Sequence, residues 1–233
     1  MRIGLFGYGK MGQLIGKLAT EQGHEIVARI DTASDLAPYG SMDVAIDFSM
    51  PEAAFDILKG CLENGVPVIS GTTGWLKRKP EIEKICEKNK GAFLYASNFS
   101  LGVNLFFKLN KDLTKMMDRH TNYRVRLHES HHENKLDAPS GTAIRLAHDI
   151  TDNSRYTAWS MDSKDPEMVP VTSAREGQIP GTHEILWESA DDAIQITHTA
   201  HSRMGFAAGA LLAAEWIVGK TGVFSMQDVL ENA

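Results

Sequence analysis

The sequence predicts an α/β protein in which a Rossmann-like domain with a parallel sheet is joined to an α+β domain with a mixed sheet. Three observations lead there. Over the first hundred residues, short apolar runs alternate with segments of helical period. The first apolar run ends in Gly7-Tyr8-Gly9-Lys10-Met11-Gly12. From Leu101 onward the alternation gives way to a long helical pattern and then to runs of period two.

Each element follows from its residues. Arg2–Phe6 is short, apolar and ended by glycine, so it is a buried strand. Met11, Leu14, Ile15, Leu18 and Ala19 recur at helical spacing, with Gly23 as the stop. Glu25–Ile30 is a second strand with Asp31 at its end, nineteen residues after Gly12. In this order of strand, GxGxxG, helix, strand and acid, each part has a task. The first glycine permits the tight turn, the second lets backbone approach a pyrophosphate, and the third lets helix and strand pack closely. The helix N-terminus offers unpaired N–H groups to phosphates, and Asp31 can accept hydrogen bonds from ribose hydroxyls. The plain alternative is a glycine-rich turn that binds nothing.

The rhythm continues with strands at residues 44–48, 66–70 and 92–96. Between them lie helices opened by Pro51, with Ala54, Ile57, Leu58 and Cys61 sharing a face, and by Pro80, with Ile82, Ile85 and Cys86 inward. Strands alternating with helices imply a parallel sheet covered on both faces, with ligands beyond the carboxyl ends of the strands. That rim would carry residues 71–74 and 97–99 as well as the first glycine turn. Further on, Val103, Phe106, Leu109, Leu113, Met116 and Met117 mark a long helix. Residues 122–129 alternate, with Val125 and Leu127 on one face and Arg124, Arg126 and His128 on the other. Ala143, Leu146, Ala147 and Ile150 give another helix, with Ser140 or Asp137 as N-cap. Residues 152–168 look irregular, and strands follow near 169–174, 183–189 and 193–200. Residues 206–218 are apolar almost all round, which predicts a buried helix.

Composition bounds the function. The chain has 233 residues, 42% hydrophobic and 23% charged, enough for one large domain or two small ones. A net charge of −6 argues against nucleic acid as a partner. It does not exclude a small anion, because charges beyond about 8 Å are screened and local cations decide. Cys61 and Cys86 sit at apolar helical positions without metal or disulfide spacing, as reduced core thiols do. No stretch approaches the ~18 apolar residues of a membrane span, and the N-terminal apolar run is too short for a signal peptide. The expectation is a cytoplasmic protein with no membrane partner.

The densest chemistry lies at residues 128–142, HESHHENKLDAPSGT. Burying so many polar groups unpaired would cost about 1–3 kcal/mol each, which predicts a solvated loop or a chemical site rather than core. His131 and His132 are adjacent and diverge in extended chain. Lys135 adds a cation, and Ser140, Gly141 and Thr142 open a helix with free N–H groups. Together they suit a carboxylate. An imidazole is also a natural acid near neutrality.

From Glu129 to Ala143 the chain matches E-x-H-H-x-x-K-x-D-A-P-S-G-T-A, and so closely resembles the dihydrodipicolinate reductases of lysine and diaminopimelate biosynthesis. The resemblance spans nearly the whole chain, through GYGKMG at 7–12, IDFS at 46–49, GTTG at 71–74, SNFSLGVN at 97–104, REGQIPGTHE at 175–184 and ITHTAHSRMGFAAGA at 196–210. It implies reduction of a dehydrated dipicolinate intermediate by NADH or NADPH, giving tetrahydrodipicolinate. His131 would be the catalytic acid/base and Lys135 a proton donor beside it. His132, Lys135, Ser140, Gly141 and Thr142 would hold the substrate dicarboxylate. Gly7, Gly9, Lys10, Met11, Gly12, Asp31, Gly71, Thr72, Thr73, Ala96, Ser97, Asn98 and Phe99 would hold the dinucleotide. The resemblance further implies a cytoplasmic homotetramer assembled through the second domain. That domain would comprise residues 101–203, and the dinucleotide domain residues 1–100 and 204–233.

Two departures from the family pattern matter. Its first glycine motif usually has one more residue, G-x-x-G-x-x-G. Its acid at the end of the second strand is often followed by arginine, which meets a 2′-phosphate, whereas Asp31 is followed by Thr32. A carboxylate beside a phosphate is unfavourable, so NADH is favoured over NADPH, although Lys10 still attracts phosphate. Two other readings fit less well. A metal held by His128, His131, His132 and Glu129 lacks suitable spacing, so no metal is expected. A non-enzymatic NAD(H)-sensing Rossmann protein would need no dense donor cluster at a helix start.

Overall fold

The apolar run at the start of the chain forms strand β1 (Arg2–Phe6), with Ile3, Leu5 and Phe6 buried. The computed structural model describes residues 1–31, 38–162 and 164–232, so Thr32, named above, lies outside the described residues. The alternation continues through α1 (Lys10–Glu21), β2 (Glu25–Ile30), β3 (Val44–Asp47), α2 (Pro51–Glu63), β4 (Val68–Ser70), α3 (Lys79–Lys88) and β5 (Ala92–Tyr95). The helix α4 (Leu101–Met117) then leads into β6 (Arg124–His131), α5 (Gly141–Thr151), β7 (Ala158–Ser160), β8 (Met168–Arg175), β9 (Gly181–Glu188) and β10 (Ala193–Ala200). The chain ends with α6 (Met204–Ile217), β11 (Gly222–Phe224) and α7 (Met226–Asn232). Two compact units result: Met1–Asn104 with Met204–Ala233, and Leu105–Arg203.

The first unit holds a six-stranded sheet in the order β11-β5-β4-β3-β1-β2, with every pairing parallel. Alternate residues serve opposite faces. Ile3, Leu5, Val44, Ile46, Ile69 and Leu94 pack with α1 and α6, while Phe6, Ala45, Val68 and Phe93 pack with residues of α2 and α3. α6 is buried through Ala207, Gly209, Ala210, Leu211, Ala213, Ala214 and Ile217. Its small residues permit close approach, since a Cβ at Gly209 would lie 1.7 Å from the Phe99 carbonyl oxygen. Cys61 and Cys86 are buried free thiols, and burial raises the pKa of both.

The second unit holds a mixed sheet in the order β10-β9-β6-β8-β7. β9 pairs antiparallel with both β10 and β6, whereas β8 runs parallel to β6 and to β7. Val125, Leu127, Val171, Ile185 and Trp187 form a core with α5.

Several expectations need correction. The long helix forms as α4, but not all the residues that marked it are core: Leu109 and Met116 are 49% and 58% exposed. Asn110 and Thr114 take inward places instead, and Asn110 Nδ2 donates to the Leu146 carbonyl over 3.1 Å. On α2 and α3, Ile57 and Ile85 are half-buried, while Phe55 and Leu62 of α2 are buried. The region expected to be irregular contains β7, and β11 adds an edge strand that periodicity did not signal.

Candidate active site

The first unit places the glycine turn at the carboxyl end of β1, next to the topological switch between β1 and β3. Gly7 has φ +83, and its N–H donates to the Ile30 carbonyl at 2.7 Å. A Cβ there would meet the Phe48 carbonyl oxygen at 2.2 Å. A Cβ at Gly12 would lie 2.1 Å from the Gly7 carbonyl oxygen, whereas one at Gly9 meets nothing within 4 Å. The three glycines therefore differ: two are demanded by neighbouring backbone, and Gly9 stands before open space. Gly9 is the N-cap of α1, with no side-chain cap and no acidic residue in the first turn. The helix start, with Lys10 exposed and Met11 half-buried, is open to an anion. The Asp31 carboxylate accepts the Tyr8 N–H at 3.0 Å, tying the end of β2 to the turn.

The other rim residues divide by burial. Asp47, at the end of β3, is fully buried and accepts from the Ser70 hydroxyl at 2.7 Å and from the Ser49 N–H at 3.1 Å. Burial pushes its carboxyl up. Thr72 is buried and accepts the Trp75 indole N–H, while Thr73 is exposed and a Cβ at Gly71 would clash with the Phe48 ring. Ala96 and Asn98 are half-buried and Ser97 is exposed. Phe99 is core, packed on Phe48 with ring centroids 5.6 Å apart, so only its backbone is available to a ligand.

In the second unit the polar run is not all solvated. β6 alternates with its even-numbered residues more open, which puts Val125, Leu127, Glu129 and His131 on one buried face. Glu129 is fully buried, and His131 and Ser140 are 7% and 3% exposed. Cross-strand pairing supplies what Glu129 needs, because Ser173 of β8 and His183 of β9 stand opposite it. Oε1 accepts from the Ser140 N–H and the Ser173 hydroxyl, each at 2.9 Å, and from Arg175 at 3.1 Å. Oε2 faces His131 Nδ1 at 3.4 Å and His183 Nε2 at 3.6 Å. Burial pushes the Glu129 carboxyl up, but the nearby His183 and the hydrogen bonds from Ser140 and Ser173 outweigh it and hold it well below the usual carboxylate range. Burial pulls the His131 imidazole down to about 4. Glu129 opposes that shift, while His183, Lys135 and Arg175 add to it.

Beyond β6 the loop is stitched by Arg175, which donates to the Lys135 carbonyl at 3.3 Å and the Asp137 carbonyl at 2.5 Å. Lys135 Nζ contacts both Asp137 carboxylate oxygens, at 2.7 and 2.8 Å. His132 is half-buried, and its carbonyl accepts the Lys135 N–H. Ser140 is the N-cap of α5; its hydroxyl accepts the Ala143 N–H at 3.2 Å and lies 3.2 Å from His183 Nε2. Gly141 is exposed and Thr142 half-buried at the first turn, where N–H groups have no intrahelical acceptor. His128 belongs to the other face, with Nδ1 2.8 Å from the Thr172 hydroxyl, so it does not join the cluster. His198 lies on β10 with its ring against Phe106.

Sequence reasoning overlooked Glu129, Ser173, Arg175 and His183 as a set. The signal for Glu129 was its place in the alternation behind Val125 and Leu127. The other three come from flanking strands whose register the sequence does not show. Glu129, His131 and His183 offer donor atoms within 4.8 Å of one another, as a metal site would. The Arg175 guanidinium already at the carboxylate opposes a second cation.

A parallel sheet with a glycine turn at its switch point, and a second sheet with a buried Glu-His-His cluster, define a two-unit protein of the dinucleotide-binding Rossmann class. Comparison with known proteins refines this. Residues 1–99 match the N-terminal model of dihydrodipicolinate reductase and residues 102–230 the C-terminal one. The chain belongs to the dihydrodipicolinate reductase family. It is 49% identical over 236 residues to a 4-hydroxy-tetrahydrodipicolinate reductase of Christiangramia forsetii, covering 100% of this chain and 98% of the relative. A relative of the same name from Neisseria meningitidis serogroup B is 38% identical, over 81% of this chain and 72% of its own. Among solved structures, a dipicolinate-bound dihydrodipicolinate reductase from Paenisporosarcina sp. TG-14 has a TM-score of 0.80 at 21% identity, covering 97% of each chain, a likeness of fold. Among the described residues no helix is long and apolar enough to cross a membrane.

Proposed function

We propose that the protein is a 4-hydroxy-tetrahydrodipicolinate reductase, using NADH or NADPH to form tetrahydrodipicolinate. The observation that carries this reading is the His131–Thr142 segment. It runs from a buried imidazole, past a lysine, to the open N-terminus of α5. The 49% identity to a reductase of that name supports it across the whole chain.

In this reading His131 is the acid/base and Lys135 a proton donor beside it. His132, Lys135, Ser140, Gly141 and Thr142 hold the dicarboxylate. Ser140 does so mainly by its place in the turn, since its hydroxyl is engaged with Ala143 and His183. Lys135 exchanges Asp137 for a ligand carboxylate. Gly7, Gly9, Lys10, Met11, Gly12, Asp31, Gly71, Thr72, Thr73, Ala96, Ser97, Asn98 and Phe99 hold the dinucleotide, which supplies the hydride when bound. Asp31 disfavours a 2′-phosphate, so NADH is the better donor. The protein works in the cytoplasm as a homotetramer joined through the second unit, on dicarboxylate rather than nucleic acid or membrane.

The test is oxidation of NADH and NADPH with and without the dipicolinate intermediate. Consumption of NADH only when the intermediate is present is expected. His131→Gln should lower kcat far more than it raises KM. Unchanged turnover in that variant, or no turnover in the wild type, overturns the reading.

A further inference from the structure

The proposed function uses His131 but leaves Glu129 and His183, both buried beside it, without a task. We propose that they are positioning residues: the Glu129 carboxylate holds the Nδ1 proton of His131, which turns Nε2 to the reacting ligand, while His183 competes for the same carboxylate oxygen. This rests on the reading of His131 as the acid.

The arrangement of protons carries the argument. Oε1 of Glu129 is occupied by the Ser140 N–H, the Ser173 hydroxyl and Arg175. Oε2 is buried and accepts no regular hydrogen bond, and neither does His131 Nδ1 have a partner. The two atoms are 3.4 Å apart. A buried ionised oxygen left bare is costly, so an imidazole N–H is drawn to it. His183 Nε2, at 3.6 Å from Oε2, has the Ser140 hydroxyl as an alternative at 3.2 Å. A proton on His131 Nδ1 therefore satisfies two bare atoms at once. Nε2 is then the outer nitrogen, and Gly181 keeps it clear: a Cβ there would sit 2.9 Å from Nε2.

The charges facing His131 come from every side. Glu129 lies on its own strand, Arg175 stands directly opposite on β8, His183 is on β9, and Lys135 is in the following loop. Of these only Glu129 favours the imidazolium, and burial opposes it most, so His131 is neutral in the free protein. A bound dicarboxylate adds the negative charge that tips it to imidazolium. A bound reduced nicotinamide would supply hydride to a ring carbon of the ligand, and His131 Nε2 would give its proton to the neighbouring ring atom. The hydride and proton together would reduce the ring at the expense of the nicotinamide, and His131 would return to its neutral form with Nδ1–H still on Glu129. Water restores the spent proton.

Glu129→Gln and His183→Asn, compared with the wild type across pH, test this, with calorimetric dipicolinate binding as the check on folding. In Glu129→Gln, kcat should fall about a hundredfold with KM for the nucleotide unchanged. The alkaline limb, where turnover fades as the acid loses its proton, should move down by about one unit. In His183→Asn the loss should be a few-fold and the limb should move up, because a competitor for the carboxylate is gone. A merely structural role would not move the two limbs in opposite directions. Limbs that stay put or move together overturn the proposal, as does stoichiometric zinc in the active wild type. Should Glu129→Gln fail to bind dipicolinate, Glu129→Asp keeps the charge and should keep the wild-type limb with a lower kcat; a shifted limb there counts against the proposal. An active His131→Gln defeats the function reading and this one together. An inactive His131→Gln beside unmoved limbs defeats the positioning alone.

Discussion

Alanine at Gly12 and alanine at Gly9 should damage the protein in opposite ways, although both glycines belong to one motif. At Gly12 the new Cβ would stand 2.1 Å from the Gly7 carbonyl oxygen. Carbon and carbonyl oxygen tolerate about 3.3 Å, so α1 must retreat from the turn by about 1 Å. Overpacking of this kind costs up to about 3 kcal/mol, since rigid backbone is the obstacle. Alanine at this helical position returns up to about 1 kcal/mol. The net loss of about 2 kcal/mol corresponds to a drop in Tm of roughly 4–8 °C for a chain of this length. At Gly9 the backbone has φ −71, a value any residue adopts, and the Cβ meets nothing. Gly9→Ala should therefore melt with or slightly above the wild type. Its methyl would instead stand where a pyrophosphate approaches, so NADH should bind at least about tenfold more weakly, or ~1.4 kcal/mol. Thermal melting and nucleotide titration of both variants decide the matter. If Gly12→Ala melts with the wild type, or Gly9→Ala loses stability but keeps affinity, the division of labour among the glycines is wrong.

Two further outcomes are expected. Because burial holds His131 down to about 4 from 6.5, the unfolded chain takes this proton first as acid is added. The stability it contributes is fully present above about 6.5 and is lost as pH falls through the window to about 4. Denaturant midpoints should fall less steeply across that window in His131→Asn than in the wild type, and equal slopes would contradict the assignment. Asp137 is 60% exposed in its side chain, so its pair with Lys135 contributes less than about 1 kcal/mol to stability. Asp137→Asn should leave Tm unchanged and lower KM for the dicarboxylate a few-fold by freeing Lys135; a raised KM would show that Asp137 orients the lysine instead.

What the sequence made legible was what local pattern controls. β1, β2 and β10 fall where apolar runs and turns place them, and α5 starts at its capping serine. β7 and β11 escaped because a run of three residues shows no period of its own, and their pairing with β8 and β5 is a tertiary contact that local pattern does not reveal. Leu109 and Met116 mark α4 but stay exposed, because apolar spacing alone cannot tell that Asn110 will find a carbonyl to bond inside. The candidate site shows the same limit. His131, Lys135 and Ser140 stood out as a cluster in one stretch. Burial of such a run is prohibitive only if each polar group goes unpaired. Glu129 is buried because Ser173 and Arg175 on one flank and His183 on the other answer it, across more than forty residues of sequence.

The return of the chain to its first sheet has a bearing on synthesis. β1 to β5 leave the ribosome early, yet the face of their sheet that holds Ile3, Leu5, Val44 and Ile46 is covered partly by α6, and one edge is paired only by β11. Both come from the last thirty residues or so of the chain. The unit formed by Leu105–Arg203 is continuous and has all its strands in hand well before then. The strands made before the second unit are therefore completed only after it, and until α6 and β11 emerge they present an apolar sheet face that favours chaperone capture.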